Sequence, residues 1–190
     1  VRVLGIDPGA DRLGWSILDL DPEGQTPPGY VASGIYGISW SEAKKQKIKY
    51  QDHKLQVVQK HTDDAAYVVG SFEPDVVVSE IIPAVGGGNF AVATQNQLAL
   101  VALTCWHTVA TIYEIEIHQV AANTVKTKIG GSGKASKVKV RNGVLTLLPT
   151  LYPRKQEWTK IFDESDGLAV PLAWAGYEPY ATSVAETQGE

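Results

Sequence analysis

Four carboxylates stand out by where they fall in the chain. Asp7 closes the apolar run VRVLGI and is followed by Pro8-Gly9, Glu80 ends the run DVVVSE, and Asp163 and Asp166 open a late apolar segment as DESD. An ionised carboxylate in an apolar strand costs free energy unless a cation or a hydrogen-bond network compensates it, so Glu80 is a candidate metal ligand. Asp7-Pro8-Gly9 alone is a turn sequence. Asp163 and Asp166 share a helix face and repel by about 0.3 kcal/mol, which a helix N-terminus offsets with about 0.3 to 1 kcal/mol each; capping alone accounts for them. The set says more than its members, because acids at a first-strand end, a central-strand end and a late helix start can converge in one α/β crevice. Four crowded carboxylates repel unless divalent cations neutralise them. Magnesium or manganese prefers oxygen ligands and activates water for phosphodiester hydrolysis.

The basic residues form a second constellation. The net charge is −4, yet Lys126, Lys128, Lys134, Lys137, Lys139 and Arg141 fall in a stretch, 124–141, without an acid, while the last thirty residues carry acids and no base. GGSGKAS fails as a phosphate-binding P-loop, with Lys128 at the first glycine position and Ala135 after Lys134. Lys134, Lys137 and Arg141 would lie within a ~60° arc of a helix, a face suited to a phosphate backbone. Lys44, Lys45, Lys47 and Lys49 read as a solvated cluster. One cysteine, Cys105, rules out an internal disulfide, and His53, His61, His107 and His118 lack zinc-site spacing. A reducing, intracellular setting is expected, with no secretory or transit segment visible and, in the absence of any methionine, a processed or artificial first residue expected.

These groups must be positioned by an α/β framework. Residues 1–6, 15–20 and 30–38 read as an antiparallel meander, with a proline-rich loop at 21–29. The lysine-rich stretch from Ser41 to Gly70 reads as one long amphipathic helix whose inner face carries Ile48, Leu55, Val58, Ala65, Ala66 and Val69. Residues 75–82 read as a strand buried on both faces. From Ile81 to Tyr113 no residue is charged. Pro83, Gly86-Gly87-Gly88 and Gln95-Asn96-Gln97 leave no apolar stretch of roughly 20 residues for a membrane span, so this is an enclosed helix over 89–111 with Asn89 as its cap. A strand over 114–120, a short helix near Asn123, a helix over 134–148 and a last helix over 165–176 complete the pattern. Residues 1–180 are expected to form one domain and 181–190 a flexible acidic tail.

Taken in order, LGIDPGADRLGW, DVVVSE, GKASKVKV and DESDGLAVPLAW resemble the RuvC Holliday-junction resolvases over roughly residues 1–176. The resemblance implies an RNase H-like fold, a five-stranded mixed sheet with helices on both faces, acting as a homodimer on four-way DNA junctions. Asp7, Glu80, Asp163 and Asp166 match the family's acidic tetrad, and Lys126 and Lys137 its basic positions, Lys137 close to the scissile phosphate. Relatives place an aromatic residue shortly after the glutamate. Here Ile81-Ile82-Pro83 and a triple glycine intervene, and Phe90, the nearest aromatic, is the candidate for stacking on bases, with core packing as its other role.

The expected activity is therefore a magnesium-dependent endonuclease that makes paired, symmetric nicks in four-way junctions. Two ions per site are expected about 3.5 to 4 Å apart, bridged by Asp7, with Glu80 completing one site and Asp163 and Asp166 the other. Lys126, Lys128, Lys134, Lys137, Arg141 and Phe90 would contact DNA. A homodimer through the 89–111 helix, with Leu98, Val101, Ala102, Cys105, Val109 and Ile112 as an apolar stripe, would supply the second site. The cytoplasm of a bacterial or bacteriophage-infected cell is the expected location. The alternatives are a noncatalytic DNA-binding protein on the same fold, and an actin/Hsp70-like ATPase, which needs a second lobe and a longer chain.

Overall fold

The computed structural model describes residues 1–9, 12–37, 40–82, 90–159 and 162–179. Five strands, β1 (Arg2–Asp7), β2 (Leu13–Asp19), β3 (Gly29–Tyr36), β4 (Val76–Glu80) and β5 (Glu116–Val120), form one mixed sheet in the order β3-β2-β1-β4-β5. β1 to β3 are the expected antiparallel meander, and β4 and β5 run parallel to β1. β1 and β4 read as continuous apolar runs because both of their faces are covered. Leu4, Ile6 and Val77 face one layer, formed by α2 (Tyr50–Phe72) and α3 (Phe90–Ile112), while Val3, Val76 and Val78 face the other. That second layer contains α4 (Ala122–Gly130), α5 (Lys137–Leu147) and α6 (Asp163–Trp174). No helix among the described residues is long and apolar enough to cross a membrane.

Four expectations are corrected. The helix expected over 41–70 is two, α1 (Trp40–Lys45) and α2, because Lys47 turns left-handed at φ 57° and ends the first. The inner face of α2 is also rotated from the expected one. It carries His53, Val57, His61 and Asp64 along with Ala65, Val68 and Val69, while Leu55 and Val58 are exposed. Hydropathy misleads here because two of the inward polar groups find partners: Trp106 Nε1 donates to His61 Nδ1 at 3.3 Å, and Asp64 binds Lys60 at 2.7 Å. On α3, Leu98, Ala102, Cys105 and Val109 of the expected partner-facing stripe are buried. Of that stripe Ile112 is exposed, and the outward face otherwise carries Leu100, Thr104 and Thr108. Finally, α5 starts at Lys137, because Ser136 caps it by accepting the Lys139 N–H at 3.4 Å, which leaves Lys134 in the preceding turn.

α6 lies directly on β1 and β2. A Cβ built on Gly14 would stand 1.7 Å from the Asp163 carbonyl oxygen, and one on Gly167 would stand 2.7 Å from Gly14. Backbone therefore meets backbone where the first turn of α6 crosses the strands. The loop at 21–29 is ordered by the Asp21 carboxylate, which accepts backbone N–H groups of Glu23, Gln25 and Thr26, and by Tyr177 Oη donating to the Thr26 carbonyl. It joins β2 to β3 at the end of the sheet opposite Asp7. Asn89 and the acidic tail fall outside the described residues.

Candidate active site

Asp7 and Glu80 end adjacent parallel strands. Ile6 pairs with Ser79, so the two acids follow one another in register, on strands ~4.8 Å apart. Side chains alternate along a strand, and Asp7 and Glu80 share the parity of Val3 and Val78, which puts both on the α4–α6 side. The first turn of α6, pinned by the glycine contacts, brings Asp163 and Asp166 over the same strand ends. Asp7, Glu80 and Asp166 line one cavity of about 170 Å³ together with Lys126 of α4, Lys137 of α5 and an apolar wall of Ala122, Val125 and Val140.

Charge crowding sets the chemistry of this cavity. Burial, and then the charges of Asp166 and Glu80, push the Asp7 carboxyl well above the ordinary aspartate range. Burial and Asp166 raise Glu80 in the same direction. Asp166 is raised by burial even though Lys137 Nζ lies 2.6 Å from its Oδ2. Burial works against the charge of Lys137, but its bond to Asp166 and the other acids outweigh this and raise it. Among the described residues no three His, Cys, Asp or Glu side chains already form a metal cage; the Lys137 ammonium holds a cation's place beside Asp166. The donor set nevertheless fits a hard divalent ion: oxygen ligands, partly buried, carrying more negative charge than two lysines balance.

The other expected DNA contacts are scattered. Lys128 is paired with Glu178, and Lys134 is exposed. Arg141 departs from the expected arc: it is 6% exposed, its guanidinium lies 5.8 Å from the Phe162 ring centre, and it cannot present a face to DNA. Lys137 and Arg141 remain one turn apart on α5, and it is the packing of the guanidinium against Phe162 that withdraws Arg141, whereas Lys134 falls outside the helix altogether. Phe90 opens α3, and its side chain lies outside the described residues.

A model of the crossover junction endodeoxyribonuclease RuvC family matches residues 3–174. The chain belongs to the RuvC family. Among RuvC relatives, the crossover junction endodeoxyribonuclease of Gluconobacter oxydans is 29% identical over 188 residues, covering 97% of this chain and 95% of its own. That of Xanthomonas oryzae pv. oryzae is 29% identical over 177 residues, covering 92% and 87%. The RuvC of Thermus thermophilus solved with a Holliday junction substrate superposes with a TM-score of 0.66 at 22% identity, covering 92% and 93%. The yeast mitochondrial Holliday junction resolvase gives 0.57 at 12% identity, covering 94% and 78%. The sheet and its helical layers are thus the RNase H-like fold of RuvC.

One site feature has no counterpart in the sequence reading. Glu164, between the two aspartates of DESD, turns away from the cavity and is buried. It accepts from Arg154 Nη1 at 2.6 Å, Ser33 Oγ at 2.6 Å and Trp158 Nε1 at 2.9 Å. Successive helical positions face different directions, so the acidic triplet serves two purposes: Asp166 lines the cavity while Glu164 ties the helix turn to edge strand β3. Only the i, i+1 offset hinted at this.

Two outcomes follow from the geometry. Carboxyls whose folded pKa is raised favour the fold below about pH 4, the unfolded value, and lose that contribution as pH climbs through the raised value. In metal-free buffer the wild type should therefore lose stability between about pH 4 and neutrality. Asp7→Asn should flatten that slope and melt several degrees higher at pH 7. Thermal melts in EDTA across pH check this, and a variant melting at or below wild type at pH 7 refutes it. Glu164→Ala, which strands Arg154, should cost about 3 kcal/mol in urea unfolding, and combining it with Arg154→Met should cost less than the sum of the two.

Proposed function

We propose that this chain is a divalent-metal-dependent endonuclease that resolves four-way DNA junctions as a homodimer. The observation carrying this is the single cavity in which Asp7, Glu80 and Asp166 crowd together beside Lys126 and Lys137. Curated relatives matching nearly the whole chain bear the name crossover junction endodeoxyribonuclease. Magnesium or manganese, two ions held by Asp7, Glu80, Asp163 and Asp166, would supply the positive charge that activates water and stabilises the leaving oxygen. The protein's own groups do the rest. β1 and β4 hold two carboxylates rigidly, and the Glu164 anchor fixes the helix turn that bears the others. Lys137 turns from Asp166 to a phosphate oxygen, countering charge that accumulates in the transition state. Lys126 contributes phosphate contact, while Ala122, Val125 and Val140 exclude water from one wall.

Asp7→Asn and Glu80→Gln should abolish magnesium-dependent nicking of a synthetic four-way junction and leave junction binding within a fewfold, since binding rests on the lysines. Lys137→Ala should lower the single-turnover rate at saturating DNA more than it lowers affinity. Lys126→Ala should do the reverse. Nicking by Asp7→Asn at the wild-type rate would refute the assignment, and junction binding by a wild type without cleavage would favour the noncatalytic reading.

Two equivalent strands need two sites related by a two-fold axis, which an isologous dimer supplies. The partner face is the outward side of α3 with α2. Leu55, Val58 and Leu100 are 69%, 41% and 54% exposed, and Val58, Leu100, Val101 and Cys105 line a shallow groove of about 440 Å³. Such apolar exposure marks an association surface. Wild type should sediment near twice 20.5 kDa, and Leu100→Lys should shift it to the monomer and unpair the two nicks. A wild-type monomer at micromolar concentration would refute the dimer.

A further inference from the structure

The lysine cluster between α1 and α2 is better placed than a solvated surface requires. β3 ends at Tyr36, opposite Leu13, at the end of the sheet where β1 finishes with Asp7. The chain therefore leaves the sheet on the level of the acidic cavity, and α2 returns from there to the opposite end, where the Asp75 N–H donates to the Arg2 carbonyl. Lys60 Nζ lies 5.1 Å from the Tyr36 ring centre, level with the last residue of β3. Residues 50–59 add ~15 Å of helix, and they carry the α1–α2 corner out past the end of the sheet at which DNA would enter.

That corner concentrates one sign of charge on a built turn. Residues 43–51 hold Lys44, Lys45, Lys47 and Lys49 and no acid. All four are exposed, and no ion pair joins Lys45, Lys47 or Lys49 to a carboxylate among the described residues. Lys60, further along the same helix, is by contrast neutralised by Asp64. The turn is closed by two backbone bonds, Ile48 N–H to the Ala43 carbonyl and Lys47 N–H to the Lys44 carbonyl, both 3.0 Å. This is the Schellman pattern, whose left-handed position glycine usually fills. Here Lys47 fills it at φ 57°, which places a charge where the backbone favours a residue without a side chain.

Resting on the junction-nuclease reading, we infer that the α1–α2 corner is a second DNA-backbone contact surface, on which Lys45, Lys47 and Lys49 hold the phosphates of a junction arm beyond the cleavage cavity. DNA carries one negative charge per ~1.7 Å of duplex, so an arm crossing the end of the sheet offers several phosphates to a corner of this size. The partner is nucleic acid backbone rather than bases, because the corner presents ammonium groups and no exposed aromatic ring within residues 43–49.

The test compares wild type with Lys45→Gln/Lys47→Gln/Lys49→Gln, and with Lys45→Glu/Lys49→Glu, which leaves the left-handed residue untouched. Binding to a fluorescent four-way junction and to a linear duplex is measured in EDTA across a salt series, with thermal melting as the control for folding. Each lost phosphate contact lowers the slope of log Kd against log salt by about 0.9. The triple variant should therefore lose about 2 to 3 in slope and bind the junction at least tenfold more weakly at 0.15 M salt. Its single-turnover nicking rate at saturating junction should stay within twofold. If wild type nicks junctions and both variants keep its Kd and slope, the corner is merely solvated and the inference fails alone. If wild type neither binds nor nicks junctions, the junction reading fails and takes the inference with it.

Discussion

Mutual repulsion of carboxylates at the ends of two adjacent parallel strands is the constraint around which the molecule is arranged. Asp7 and Glu80 are brought together by the β1–β4 register and cannot relax apart without shifting buried strands. Asp166 adds to their charge rather than relieving it, since its approach is set by the docking of α6 on β1 and β2 through Gly14 and Gly167. The fold is therefore preloaded for cations. Lys137 and Lys126 supply part of that charge, and a deficit of positive charge remains around the three acids that line the cavity.

The scaffold divides this labour between two layers. On the cavity side, α4 and α5 bring lysines toward the acids, and the Glu164–Arg154–Ser33–Trp158 network locks the turn of α6 from behind. On the far side, α2 and α3 pack a polar-containing interior in which His61 and Trp106 satisfy one another. Their outer face exposes Leu55, Val58 and Leu100 among polar side chains. The acidic cavity and the exposed apolar side chains of α2 and α3 thus lie on opposite faces of one sheet.

The electrostatics of the whole chain follow the same partition. A net charge of −4 conceals basic residues grouped on α4 and α5, a second group at the α1–α2 corner, and some acids gathered at the cavity or paired, as Glu178 is with Lys128. Attraction for a polyanion depends on where charge lies rather than on its sum.

By itself, the sequence determined the strands, the four acids and the family, because these depend on local patterns. Doubly covered strands read as unbroken apolar runs, and an acid ending such a run is conspicuous. It did not determine which side of a helix faces inward when polar residues are satisfied in the interior. Thus Leu55 and Val58 were expected inside and lie outside, while His61 and Asp64 lie inside, and Lys134 left its arc once Ser136 capped α5. Nor did DESD reveal that Glu164 turns its back on its neighbours, since its three partners stand 6, 10 and 131 residues away. Those outcomes were decided by tertiary structure, because a buried polar group is tolerated only when a partner meets it, and the partner comes from elsewhere in the chain.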